Sequence, residues 1–246
     1  MLEQVKISNI LFLDIETVPA WPSFDQVPEP FRNLWEKKAV YLKKEAETPE
    51  ILYPRAGIYA EFGRIICIST GMIGLQEDKR VFRLKSFYAD EEKELLLAFA
   101  DLVTRLCQKR DIDLCAHNGK EFDYPFIARR MLVNGVRLPS PFDIAGKRPW
   151  ETRHLDTLEL WKFGDHKHYT SLELLAALFG LESPKSDMDG GQVAMVYWKD
   201  KDLGRIVEYC RRDVITLAQL MLRYKGEKIL EQEEVIVLDD SNQKKM

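Results

Sequence analysis

The sequence predicts an α/β fold, a mixed β-sheet flanked by α-helices, and three observations carry that reading. From Ile7 to Val18 the side chains take turns between two faces, Leu11, Leu13 and Ile15 on one and Phe12, Asp14 and Glu16 on the other, the two-residue period of a strand. Two later stretches, 90–109 and 201–224, space their apolar residues for one face of a helix. The predicted order is three strands, a helix, a strand and then helices, which suits one sheet covered by helices. With 246 residues and 46% hydrophobic content the chain can bury one core. Residues 1–226 read as a single domain with an insertion at about 21–63, and 227–246 as a flexible tail.

Each element has its local reason. Pro19 and Pro22 end the first strand. The insertion carries Pro22, Pro28, Pro30, Pro49 and Pro54 around a charged and aromatic stretch, Phe31 to Glu47, that fits one amphipathic helix. Arg64–Thr70 and Lys79–Tyr88 are β-branched or aromatic runs, expected to pair antiparallel through a turn region containing Gly71 and Gly74. Asp90 is placed to cap a helix running to Lys109 on Leu95, Phe99, Leu102, Val103 and Leu106. Asp113–His117 is a short strand, Asn118-Gly119 a turn, and a helix from about Tyr124 stops at Asn134-Gly135. His154–Leu160 reads as a strand entering a helix, and Thr170-Ser171-Leu172-Glu173 as a capping box. Leu181–Gly191 is a polar loop, and Leu203, Ile206, Val207, Cys210, Val214, Leu217, Leu220 and Met221 trace the stripe of the last helix, ended by Gly226. In the tail, Val235-Ile236-Val237-Leu238 is an apolar patch suited to docking a partner.

Bulk properties exclude several classes. Acidic residues outnumber basic ones by 40 to 36, so this is no polybasic coat for long stretches of phosphate backbone. Four cysteines, Cys67, Cys107, Cys115 and Cys210, lie in apolar segments without a C-x-x-C pair and read as buried, reduced thiols. Ile10-Leu11-Phe12-Leu13 is too short, and too soon cut by Asp14, for a signal peptide or a membrane span, so a cytoplasmic location is expected.

Three segments hold acids in suggestive places. Asp14 and Glu16, two apart on a strand, project from one face about 6.6 Å apart at the backbone. A solvated acidic edge strand has the same pattern, but a strand as apolar as Ile10–Ile15 rarely carries two acids without a partner. Asp123 follows the Asn118-Gly119 turn and opens a helix, where it also fits a simple cap. Tyr209 and Asp213 stand four apart on one helix face, where Asp213 has Arg205, Arg212 and Lys201 as alternative ion-pair partners. The argument is combinatorial: three ambiguous segments recur in an order from which their acids can meet.

Phe12-Leu13-Asp14-Ile15-Glu16-Thr17, His117-Asn118-Gly119 through Phe122-Asp123, and Tyr209 through Asp213 together resemble the three motifs of the DEDD exonuclease superfamily of ribonuclease H-like fold. The tyrosine four residues before the last acid is similar to the tyrosine subclass. Ser183-Pro184-Lys185 and Asp187-Met188-Asp189-Gly190 extend the likeness to the predicted exonucleases related to the proofreading domain of B-family DNA polymerases, over roughly Ile7 to Tyr224. The resemblance implies hydrolysis of phosphodiester bonds from a 3′ end, on a single strand, DNA ahead of RNA. A catalytically silent nucleic-acid-binding module of the same fold is the alternative, and a bland scaffold the third reading.

Two carboxylates at 4 Å repel by about 4 kcal/mol at an effective dielectric of 20, so four in one cleft need neutralising. All-oxygen ligands suit Mg²⁺ or Mn²⁺, and two such ions about 3.5–4 Å apart clamp a phosphodiester. On this reading Asp14 bridges both ions, Glu16 and Asp213 complete one site, Asp123 serves the second, and Tyr209 positions the attacking water. Thr17, Asn118, Phe122 and Lys185 are candidates for holding the terminal nucleotide, with Arg129, Arg130, Lys162 and Lys167 as further phosphate contacts. Asp156, and His166 with His168, offer only a poorly framed second site.

Overall fold

The structure is a computed structural model that describes residues 2–43, 47–148, 151–165, 169–181 and 188–238. Its strands are β1 (Ile10–Pro19), β2 (Gly63–Gln76), β3 (Lys79–Tyr88), β4 (Asp113–Ala116), β5 (Leu155–Asp156) and β6 (Val235–Val237). They form one sheet in the order β5-β4-β1-β2-β3-β6. Pairing is antiparallel for β1 with β2 and β2 with β3, and parallel for β1 with β4, β4 with β5 and β3 with β6. The helices are α1 (Glu29–Leu42), α2 (Pro49–Leu52), α3 (Glu92–Lys109), α4 (Asp123–Val133), α5 (Thr157–Lys162), α6 (Leu172–Leu178), α7 (Val193–Met195) and α8 (Leu203–Tyr224). This is the expected mixed α/β sheet flanked by helices. None of the described helices is long and apolar enough to cross a membrane.

The alternation in β1 decides what covers each face. Leu11, Leu13 and Ile15 enter a core with Leu95, Leu96 and Phe99 of α3 and Tyr124, Phe126 and Ile127 of α4. Ile10 and Phe12 enter another with Val214, Leu217, Ala218 and Met221 of α8. The strand is therefore buried on both faces, and its acids lie under a helix instead of along a solvated edge.

Several local expectations are corrected. β2 continues past Thr70 to Gln76, and the hairpin turns at Glu77 and Asp78, whose φ values are 50° and 60°. Gly71 serves packing instead of a turn: a Cβ there would stand 2.0 Å from Cζ of Phe82, whose ring reaches Phe12 in an edge contact at 6.1 Å. The N-cap of α3 is Glu91, not Asp90. Ser171, not Thr170, caps α6, its hydroxyl accepting from the Leu174 N–H at 3.1 Å. In the insertion α1 ends at Leu42, and a separate cluster of Phe24, Trp35, Leu52, Tyr53 and Phe62 gives this excursion its own small core. The patch expected to dock a partner forms β6 on the chain's own β3, and Arg80 anchors it by a two-pronged bond to Glu234 at 2.7–2.8 Å.

Candidate active site

Because β4 and β5 run parallel to β1, the carboxyl ends of three neighbouring strands lie at the same edge of the sheet. That edge is where open α/β sheets present their ligand sites. Asp14 and Glu16 occupy the second half of β1, opposite Ser69 and Cys67 of β2. A bulge follows Glu16, since Thr17 pairs with Ile65, leaving Ile66 as the extra residue. Ile66 and Cys67 then both join Val18, Ile206, Val207 and Cys210 in one buried cluster.

The stripe of α8 continues this register. Val214 packs in the cluster of Phe12, and one turn earlier Cys210 meets Asp14, its Sγ 3.3 Å from Oδ2. Burying that stripe brings Tyr209 and Asp213, on either side of Cys210, to the acids of β1. Asp123 arrives from the opposite side as the first residue of α4. The backbone N–H groups of Asp123 and of Ile15, the residue between Asp14 and Glu16, favour its charged form. Asp14 and Glu16 of β1 thus lie under α8, where the charges of Asp123 from α4 and Asp213 from α8 act on both.

Their electrostatics report the crowding. Burial, then the charges of Asp123 and Asp213, raise Asp14 well above the usual carboxylate range. Glu16 is raised by burial and then by Asp14 and Asp213. Burial pushes Asp123 up to about 7 and Asp213 to about 6, the latter opposed by a hydrogen bond from Tyr209. The Tyr209 hydroxyl is itself raised, first by burial and then by Asp213, so it stays protonated and donates. Among the described residues no lysine or arginine forms an ion pair with any of the four acids. The ion-pair alternative for Asp213 is not the one found. Asp123 Oδ1 is buried with no hydrogen-bond partner. Oxygens of Asp14 and Glu16, with Cys210 Sγ, lie within 4.8 Å of one another. Crowded carboxylates without cations, one carrying an orphaned buried oxygen, fit a divalent ion.

Two residues that hold this geometry were not singled out for that role from sequence. Asp156, at the end of β5, caps α5: its Oδ1 accepts from Leu158 and Glu159 N–H at 2.9 and 3.3 Å. The same carboxylate accepts the N–H groups of Asn118 at 3.0 Å and Lys120 at 3.1 Å, clamping the turn that leads to Asp123. It is a structural clamp and not a second metal site. Its signal was the Asp156-Thr157-Leu158-Glu159 pattern, an acid placed to cap a helix directly after a strand. His117 is gripped between Thr157 Oγ1 at 2.9 Å and the Thr170 carbonyl at 2.8 Å. Asn118 takes φ 60°, and Gly119 sits where a Cβ would be 2.4 Å from that of Ala116.

The substrate candidates divide. Thr17 and Asn118 are half-buried, while Phe122 packs against the core with its ring 5.5 Å from that of Phe126. Arg130 is not a phosphate contact: it forms a buried pair with Glu92 at 2.5 Å and donates to the Ala60 carbonyl at 2.9 Å. Arg129 is exposed and Lys162 half-buried. Lys185, Lys167, His166 and His168 lie outside the described residues.

The model of a family described as a predicted 3′–5′ exonuclease related to the exonuclease domain of PolB matches residues 58–236. That span holds Asp123, Tyr209 and Asp213; Asp14 and Glu16 precede it and join them through the place of β1 in the sheet. No curated protein matches the chain. Among solved structures, the family B DNA polymerase of the hyperthermophilic archaeon Pyrobaculum calidifontis superposes with a TM-score of 0.51 at 19% identity, covering 87% of this chain. The chain spans 24% of the length of that polymerase, and at this identity the likeness is one of fold. With the family match extending over most of its length, the chain belongs to the predicted 3′–5′ exonucleases related to the exonuclease domain of PolB.

Proposed function

We propose that the chain is a divalent-metal-dependent hydrolase that removes nucleotides from the 3′ end of a single strand, DNA ahead of RNA. The observation that carries this is the mutual charge influence of Asp14, Glu16, Asp123 and Asp213, none of them paired with a lysine or arginine among the described residues, with Asp123 Oδ1 left unpartnered. Asp14, Glu16 and Asp213 would hold one ion, and Asp123 with Asp14 a second. Bound Mg²⁺ or Mn²⁺ supplies neutralisation of the acids, activation of water and relief of charge on the departing 3′ oxygen.

The chain's own residues do the positioning. Tyr209 donates to Asp213 and stays protonated at working pH, so its hydroxyl orients water and takes no proton from it. The Ile15 N–H favours the charged form of Asp123, and Asp156 fixes the turn that delivers α4. Thr17, next to Glu16 in β1, and Asn118, in the turn before Asp123, would contact the terminal nucleotide, with Lys185 on its phosphate.

The test incubates 5′-labelled single-stranded DNA and RNA with the protein and Mn²⁺, beside Asp14→Ala. The expected product is a ladder shortening from the unlabelled end, absent in the variant. Retained Mn²⁺ and strand binding with no cleavage of either nucleic acid would establish the silent binding module instead.

A further inference from the structure

The ligand set at the carboxyl end of β1 is not made of oxygen alone. Cys210 Sγ lies 3.3 Å from Asp14 Oδ2 and 3.5 Å from the Asp14 carbonyl, within 4.8 Å of the Glu16 carboxylate. A tetrahedral zinc-like ion with a sulfur at about 2.3 Å and a carboxylate oxygen at about 2.1 Å requires those two donors to stand about 3.6 Å apart. The observed separation, at which the thiol donates to the carboxylate, is within a few tenths of an ångström of that. Asp123, buried with its Oδ1 unpartnered and with its charge the largest acting on Asp14, is an independent sign of a place for a cation.

Resting on the metal-site reading above, we propose that Cys210 is a metal ligand, and that through its Sγ with Asp14 and Glu16 the site takes a thiophilic divalent ion such as Zn²⁺ or Cd²⁺. Ligation replaces the S–H bond by a sulfur–metal bond and releases the proton to solvent, with no change of oxidation state. Hard Mg²⁺ makes little use of the thiol, whereas soft ions gain most from it. A soft ion so held occupies the carboxylates that Mg²⁺ or Mn²⁺ needs, so it competes with them. Cys67, opposite Glu16 on β2 and bonded to Ser69 Oγ at 3.8 Å, is the neighbouring thiol that the test must separate from Cys210.

The experiment titrates the full chain, freed of metal, with Cd²⁺ alone and with Mn²⁺ alone, for wild type, Cys210→Ser and Cys67→Ser. The readouts are sulfur-to-cadmium charge-transfer absorption in the ultraviolet and the melting temperature. Wild type and Cys67→Ser are expected to develop the absorption on binding Cd²⁺. Cys210→Ser should lose it, with Cd²⁺ affinity lowered at least about 10-fold and Mn²⁺ affinity changed less than about 3-fold. Stabilisation by Mn²⁺ in Cys210→Ser also shows that this variant is folded. If Mn²⁺ stabilises all three proteins but Cys210→Ser keeps the wild-type cadmium absorption, or none develops it, the thiol is not a ligand and only this inference falls. If Mn²⁺ stabilises none of them, the carboxylate site itself falls.

Discussion

Replacing Asp123 by asparagine tests the electrostatics of the site separately from its chemistry. Burial raises this carboxyl from 3.8 to about 7, so above that pH the folded protein carries a charge it disfavours. A shift of about 3 units corresponds to about 4 kcal/mol of strain in the charged form. Asparagine removes the charge and keeps an acceptor for the Ile15 N–H, but its new amide group must itself be desolvated at a cost of about 1–3 kcal/mol. The net expectation is that Asp123→Asn, freed of divalent ions, is more stable than wild type at about pH 8 by about 2 kcal/mol, or about 4–8 °C in melting temperature for a chain of this size. Since the folded value lies above the unfolded one, the wild-type penalty is absent below about pH 4, grows up to about pH 7 and is complete beyond it. The advantage of the variant should therefore fade at about pH 5. Excess Mg²⁺ should reverse the order, because wild type gains more from the ion. The assay is thermal unfolding by circular dichroism at both pH values, with chelator and with Mg²⁺. A variant that melts at or below wild type at the higher pH without metal, or whose advantage persists at the lower pH, would refute the reasoning.

Asp156→Ala leaves four backbone N–H groups without their shared acceptor and should lower stability by about 2–4 kcal/mol in urea unfolding, with Mn²⁺ binding weakened because the Asp123 turn is released. Arg130→Ala strands the Glu92 carboxylate, which is 6% exposed, and should cost about 3–5 kcal/mol in the same assay while leaving the pH dependence of Mn²⁺ binding unchanged. Gly71→Ala drives a methyl into the Phe82 ring and should cost about 1–3 kcal/mol, with Phe82→Leu in the same chain recovering part of it in a double-mutant cycle. Tyr209→Phe removes one donor to Asp213 but no acid, so single-turnover cleavage should fall less than in Asp14→Ala; equal losses would assign the hydroxyl a larger part than positioning.

Much of this protein was legible along the chain because the controlling physics is local. Period two in β1, period 3.6 in α3 and α8, and the Asn118-Gly119 turn all follow from spacing within a few residues. The placement of the four candidate acids was legible because each sits at a fixed offset on its own element: two on one face of β1, one opening α4, one a turn past Tyr209 on α8. Elements whose state depends on distant partners were read less well. Gly71 looks like a turn residue until the ring of Phe82 is seen to occupy the space of its missing side chain. Val235–Val237 looks like a loose apolar tail until β3 offers it a parallel edge to pair with. Arg130 looks like a free cation until the fold sets Glu92 beside it.

What the sequence by itself determined was on which faces of β1, α4 and α8 the candidate acids stand. Only the tertiary structure decided that Asp156 clamps the turn before Asp123, and that Cys210 places sulfur 3.3 Å from Asp14. The reason is physical: periodicity fixes the direction of a side chain about its own helix or strand. Its distance to a residue 196 positions away is set by how α8 seats its apolar stripe on β1, a sum over many buried contacts that no local pattern encodes.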